Sequence, residues 1–71
     1  MAGWRFATRK GQFAIAPEGT RFVVLFCGLQ LGGTYQTAEL ALIDLLRGPI
    51  TPDGIDPKEL GVPADLSEWE R

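Results

Sequence analysis

Catalysis in a chain of 71 residues needs a nucleophile, a base or a metal ligand, and this sequence is poor in all three. It has no histidine and a single cysteine, Cys27. General acid–base chemistry near neutral pH most often uses histidine. A reactive thiolate needs a neighbouring base or cation. The basic residue nearest to Cys27 on its N-terminal side is Arg21, six positions away. A zinc site would have to be built from carboxylates alone, against the usual nitrogen and sulfur ligands. Asp53, Asp56 and Glu59 stand three apart. A calcium loop instead needs oxygens at alternate positions and a glycine at its sixth. Asp56 and Glu59 also read as the ends of a capping box around one helical turn. The expectation is no catalytic residue, no metal and no cofactor.

Charge is distributed unevenly. Residues 1–21 carry Arg5, Arg9, Lys10 and Arg21 against Glu18 alone, whereas residues 22–71 carry eight acidic and three basic residues. The four early cations are therefore the candidate nucleic-acid contacts, and the acidic remainder would repel a phosphate backbone. Trp4 and Trp69 could stack on bases, but tryptophans so placed in a small domain more often fill the edges of its core. One lone cysteine and no apolar run of signal-peptide or membrane-span length lead to the expectation of a cytoplasmic protein.

The elements that would position these groups follow from hydrophobic period. "WRFAT", "QFAIA" and "RFVVLF" alternate or run apolar as strands do. "PEGT" supplies a turn with Pro17 at its first corner. Setting Ala16 opposite Arg21 pairs Ile15 with Phe22, Ala14 with Val23 and Phe13 with Val24. Phe13, Ile15, Phe22, Val24 and Phe26 then share one face. Cys27-Gly28 can form a two-residue hairpin loop, with "LQLG" as a fourth strand. If it does not, the sheet has three strands.

Thr37 is a fitting N-cap, Glu39 lies in the first turn, and Gly48-Pro49 stops the helix. Ala38, Ala41, Leu42, Leu45 and Leu46 form an apolar stripe that Leu40 and Ile43 widen, leaving little of the helix to face solvent. The remaining segment holds prolines, a "DPKELG" turn and a "PADLSEWE" turn. Its Ile55, Leu60, Val62, Leu66 and Trp69 are too apolar for a disordered linker. The fold expected is α+β: an antiparallel meander of three or four strands over residues 1–35, packed against one helix at 37–47. A tail over 49–71, containing short helical turns, should pack back onto it. All of this forms one domain.

The segments "GQFAIAPEGTRFVVLF" and "LGGTYQTAELALIDLL" together resemble the ethylene-response-factor (APETALA-type) DNA-binding domain and its integrase relatives. Gly11, Phe13 and Ile15 resemble that family's Gly-Trp-Ile strand. Leu31-Gly32, Tyr35, Thr37, Glu39 and Ala41 resemble its entry into the helix. The resemblance covers about half the chain. It implies a sheet on one helix that reads the major groove with arginines, and by position Arg5, Arg9 and Arg21 would be those arginines. The second strand departs from the pattern, placing Ala14 and Ala16 where a base-reading arginine would stand. The stretch from Leu31-Gly32 through Tyr35, Thr37-Ala38-Glu39 and Asp44-Leu45 to Gly48 is also similar to the ending of short uncharacterised bacterial proteins, which implies no activity.

The second sheet face would carry Ala14, Ala16, Val23 and Leu25 between Arg21 and Gln30, half apolar and in need of a cover. The leading expectation is a small non-enzymatic protein-interaction domain, able to self-associate, with Ala14, Arg21, Val23, Leu25 and Gln30 as its partner face. The alternative is a sheet-mediated DNA-binding module using Arg5, Arg9, Lys10 and Arg21. No membrane is expected to be involved.

Overall fold

The computed structural model describes residues 3–48 and 50–71. Met1, Ala2 and Pro49, the last assigned above to the helix stop, lie outside the described residues. Strands β1 (Trp4–Thr8), β2 (Gly11–Glu18), β3 (Arg21–Phe26) and β4 (Leu29–Tyr35) precede helix α1 (Ala38–Arg47). The strands form one antiparallel meander in the order β1-β2-β3-β4. Alternation along each strand sends Trp4, Phe6, Phe13, Ile15, Phe22, Val24, Phe26, Leu31 and Tyr35 to one face, and α1 lies on that face. Phe13, Ile15, Val24 and Leu45 are fully buried there. Each such side chain contributes about 1.5–3 kcal/mol of hydrophobic stabilisation.

The second hairpin corrects the expected register. Glu18 pairs with Arg21 and Ala16 with Val23, so the loop is only Gly19-Thr20 and Pro17 lies inside β2. The slip is two residues, which leaves every side chain on its expected face because the strand period is two. Pro17 is tolerated because β1 pairing ends at Trp4 with Ile15, so no β1 residue needs a hydrogen bond from it.

The sheet has four strands rather than three. Cys27 and Gly28 both take positive φ, 52° and 83°, the geometry of a primed two-residue turn that matches strand twist. Opposite the step from Val23 to Val24, β4 carries two extra residues, Gly32 and Gly33. Gly32 has φ 68°, and a Cβ there would stand 2.9 Å from Ile50 Cγ2 and 3.1 Å from the Tyr35 hydroxyl. Only glycine fits that bulge.

Thr37 caps α1, its Oγ1 accepting from Leu40 N–H at 3.1 Å, and Gly48 ends it. Ala38, Ala41, Leu42 and Leu45 are buried as expected. Leu40 and Ile43 are not part of the buried stripe: they are 47% and 49% exposed. A ten-residue helix on a four-stranded sheet buries one side, and these two residues sit on the other.

The tail packs back. Val62, Leu66 and Trp69 join the buried cluster, and Pro57 is fully buried. The Asp56 carboxylate accepts from Lys58 N–H at 3.0 Å. The reciprocal Glu59 contact of a capping box is absent among the described residues. Asp65 caps a single 3-10 turn, Leu66–Glu68, by accepting from Ser67 N–H at 2.9 Å. That hydrogen bond holds the Asp65 carboxyl below its ordinary pKa. Trp69 packs on Phe6 with the rings tilted by 46° and their centroids 5.9 Å apart, and its indole N–H donates to Pro63 O at 3.1 Å. Glu70 then forms an antiparallel bridge with Arg5 on the free edge of β1.

Candidate interaction face

The sheet face turned away from α1 is set by the pairing alone. One row of the ladder runs Arg5, Ala14, Leu25, Gln30, and the next carries Ala16, Val23 and Thr34. All five residues of the expected partner face lie on this side: Ala14, Val23, Leu25 and Gln30 in adjoining rows, and Arg21 at the border. The apolar side chains of the tail do not lie across it, and Arg71 borders it beside Ala14 and Ala16. Leu66 and Trp69 lie with the helix-side cluster, which contains neither Val23 nor Leu25.

Val23 is nevertheless only 4% exposed. Its ladder neighbours are Ala16 and Thr34, and Arg21 two residues back reaches across to Thr34. Arg21 Nε donates to Thr34 Oγ1 at 2.6 Å, and Nη2 donates to Thr34 O at 3.3 Å. The arginine stem thus lies beside Val23 while its guanidinium stays at the surface, as long basic side chains commonly do. Leu25 and Ala14, one row on, are half-buried. The result is a smooth strip of small and branched apolar side chains with an anchored cation at one end.

A shallow hollow of about 380 Å³ opens at the border of this strip, where Ala14 and Ala16 meet Trp4, Arg5 and Arg71. Arg71 places its guanidinium 4.7 Å from the centre of the Trp4 ring, within cation–π range. Small side chains on β2 are what leave this space.

The four cations proposed as nucleic-acid contacts are not brought together. Arg5 and Arg21 share the outer face, but they stand four residue rows and two strands apart, about 16 Å by strand rise and spacing. Arg9 and Lys10 form the turn at the end of β1. Three of the four already have partners. Arg5 faces the Glu70 carboxylate at 3.9 Å, Arg21 holds Thr34, and Lys10 Nζ donates to Gly54 O at 3.2 Å. The strip between Arg5 and Arg21 is apolar, so a duplex would meet no continuous run of phosphate partners.

The remaining chemistry-bearing groups are scattered. Cys27 is exposed at the tip of the β3–β4 hairpin. Among the described residues no three cysteine, aspartate or glutamate side chains are grouped to hold a metal ion, and no helix is long and apolar enough to cross a membrane. Sequence reasoning missed the pairing of Tyr35 with Asp44. The hydroxyl donates to Asp44 Oδ2 where β4 hands over to α1. Burial first, then that hydrogen bond and the carboxylate charge, push the Tyr35 hydroxyl from 10.0 up to about 12. The nine-residue separation gave no recognisable motif.

Comparison with models of protein families, with curated proteins and with solved structures finds no match to this chain.

Proposed function

We propose that this chain is a small non-enzymatic interaction domain that binds a protein through its outer sheet face. The observation that carries the reading is the position of the tail. Its apolar side chains pack into the helix-side cluster, so they do not lie across the strip, where Ala14 and Leu25 remain half-exposed beside a Val23 shielded by its ladder neighbours and Arg21. The complementary partner surface is apolar at its centre, with carboxylates at its rim to meet Arg21 and Arg5. Such an arrangement follows the usual layout of an apolar core within a polar border. The absence of histidine and the exposed position of Cys27, away from any base in its turn, support a non-enzymatic role. A lone exposed thiol also suits a reducing compartment, and the cytoplasm is the location this reading assumes.

The DNA-binding module is the alternative, and the dispersal of its cations on either side of an apolar strip weighs against it. Two measurements separate the readings. A photo-crosslinking residue is placed at Gln30, on the face, or at Glu59, in the exposed tail. Expected is an adduct of one defined mass from position 30 only, abolished by Leu25→Lys. An adduct at twice the chain mass identifies the partner as a second copy. Equal adducts from both positions, or one insensitive to Leu25→Lys, overturn the proposal. Low-salt titration with duplex DNA that shifts the amide signals of Arg5, Arg9, Lys10 and Arg21 together establishes the alternative.

A further inference from the structure

We propose that the exposed side of α1 is a self-complementary surface through which two copies of this chain pair. Leu40 and Ile43 are large apolar side chains about half exposed, and they stand one turn apart on the helix. They lie on the opposite side of the molecule from the outer sheet face, since α1 packs on the inner one. The inference therefore does not depend on the function proposed for the sheet.

Charge spacing selects a second copy as the occupant. Glu39 and Arg47 are both exposed, and each is four residues from Ile43. The three lie on one i±4 ridge of the helix, which reads acid, apolar, base. Within one helix Glu39 and Arg47 are about 12 Å apart along the axis, too far to pair. Among the described residues neither forms an ion pair inside the chain.

Two such ridges laid side by side in opposite directions place Glu39 of each copy against Arg47 of the other. Ile43 meets Ile43 at the two-fold axis. Side-by-side i±4 ridges are the commonest helix-packing class, and a two-fold contact closes on itself. The groove that receives the second ridge is already present. A hollow of about 280 Å³ lies beside Ile43, lined by Tyr35, Leu40, Asp44 and Arg47. One short helix offers less area than a standard stable interface, so the dimer forms at high protein concentration.

The test is sedimentation velocity on the whole chain across the micromolar to millimolar range, with circular dichroism to confirm that each variant is folded. Wild type is expected to shift from monomer to dimer with concentration. Glu39→Arg and Arg47→Glu, each alone, set like charges opposite one another twice per dimer and weaken association by at least about tenfold. An equimolar mixture of these two variants restores it, because every crossed pair is then acid against base. Ile43→Arg, at an exposed position, abolishes association without unfolding the chain. A wild type that stays monomeric at millimolar concentration overturns the proposal. So does a single charge variant that associates as wild type does, or a mixture that gains nothing over its components.

Discussion

The backbones of Arg5 and Glu70 exchange two hydrogen bonds, Arg5 N–H to Glu70 O at 2.7 Å and Glu70 N–H to Arg5 O at 2.8 Å. One residue from the end of the tail thereby occupies the free edge of β1, where an unpaired strand could otherwise recruit another chain. It also fixes where Trp69 must go. With Glu70 paired to Arg5, the preceding side chain turns inward onto Phe6.

Trp69→Ala is therefore expected to cost about 3–5 kcal/mol, the usual range for emptying a buried large aromatic site. Trp69 is 4% exposed, so the loss falls on the core. Trp69→Phe keeps a ring against Phe6 and loses the hydrogen bond to Pro63, and should cost less. Urea denaturation followed by circular dichroism measures both. Equal stability of Trp69→Ala and wild type would show that the tail does not anchor the fold.

Gly11 has no room for a side chain. An added Cβ would overlap Cys27 Sγ and stand 2.8 Å from Phe26 Cζ. Gly11→Ala should destabilise the domain by about 2–4 kcal/mol through overpacking and backbone strain. In a Cys27→Ala background the loss should be smaller, because the sulfur is gone while the Phe26 ring remains. A thermodynamic cycle of the four proteins reads the coupling; strictly additive losses would disprove the contact.

The two faces of β3 should differ in how far they tolerate substitution. Val24→Ala on the buried face is expected to cost about 2 kcal/mol or more, by loss of packing at a fully buried position. Leu25→Gln on the outer face should stay within about 1 kcal/mol of wild type. A large loss from Leu25→Gln, in a protein kept monomeric by dilution, would mean that the outer face is covered from within the chain.

Tyr35 gives a pH signature. Its proton is held up to about 12 in the native state, against 10.0 in an unfolded chain. Above pH 10 the unfolded state releases a proton that the native state retains. The stability contributed by the Tyr35–Asp44 pair is thus complete below pH 10 and declines as pH rises through 12. Tyr35 is the one tyrosine, so ultraviolet titration of the native protein reports it alone. Asp44→Asn should bring the midpoint back toward 10, and an unchanged midpoint would assign the whole shift to burial.

Much of the local structure was legible in the sequence because it depends on near neighbours. The Thr37 cap, the Gly48 stop, the Cys27-Gly28 loop and the alternation of β1 to β3 each follow from residue type and spacing. The faces survived even the two-residue error at Pro17, since a slip by one full period moves no side chain across the sheet. The bulge at Gly32 and Gly33 was not legible, because only the cross-strand partners Val23 and Val24 define it.

The candidate surfaces divide in the same way. Sequence alone determined that the chain is an α+β sheet-and-helix domain with Val23 and Leu25 opposite its core. Tertiary structure decided which surfaces stay open. Alternation shows that a strand has a second face, but it cannot say whether a distant segment will cover it. That choice was made by the seating of Leu66 and Trp69 beside α1 and by the pairing of Glu70 with Arg5. It also turned Leu40 and Ile43 outward, because a single helix on a sheet has only one side to bury.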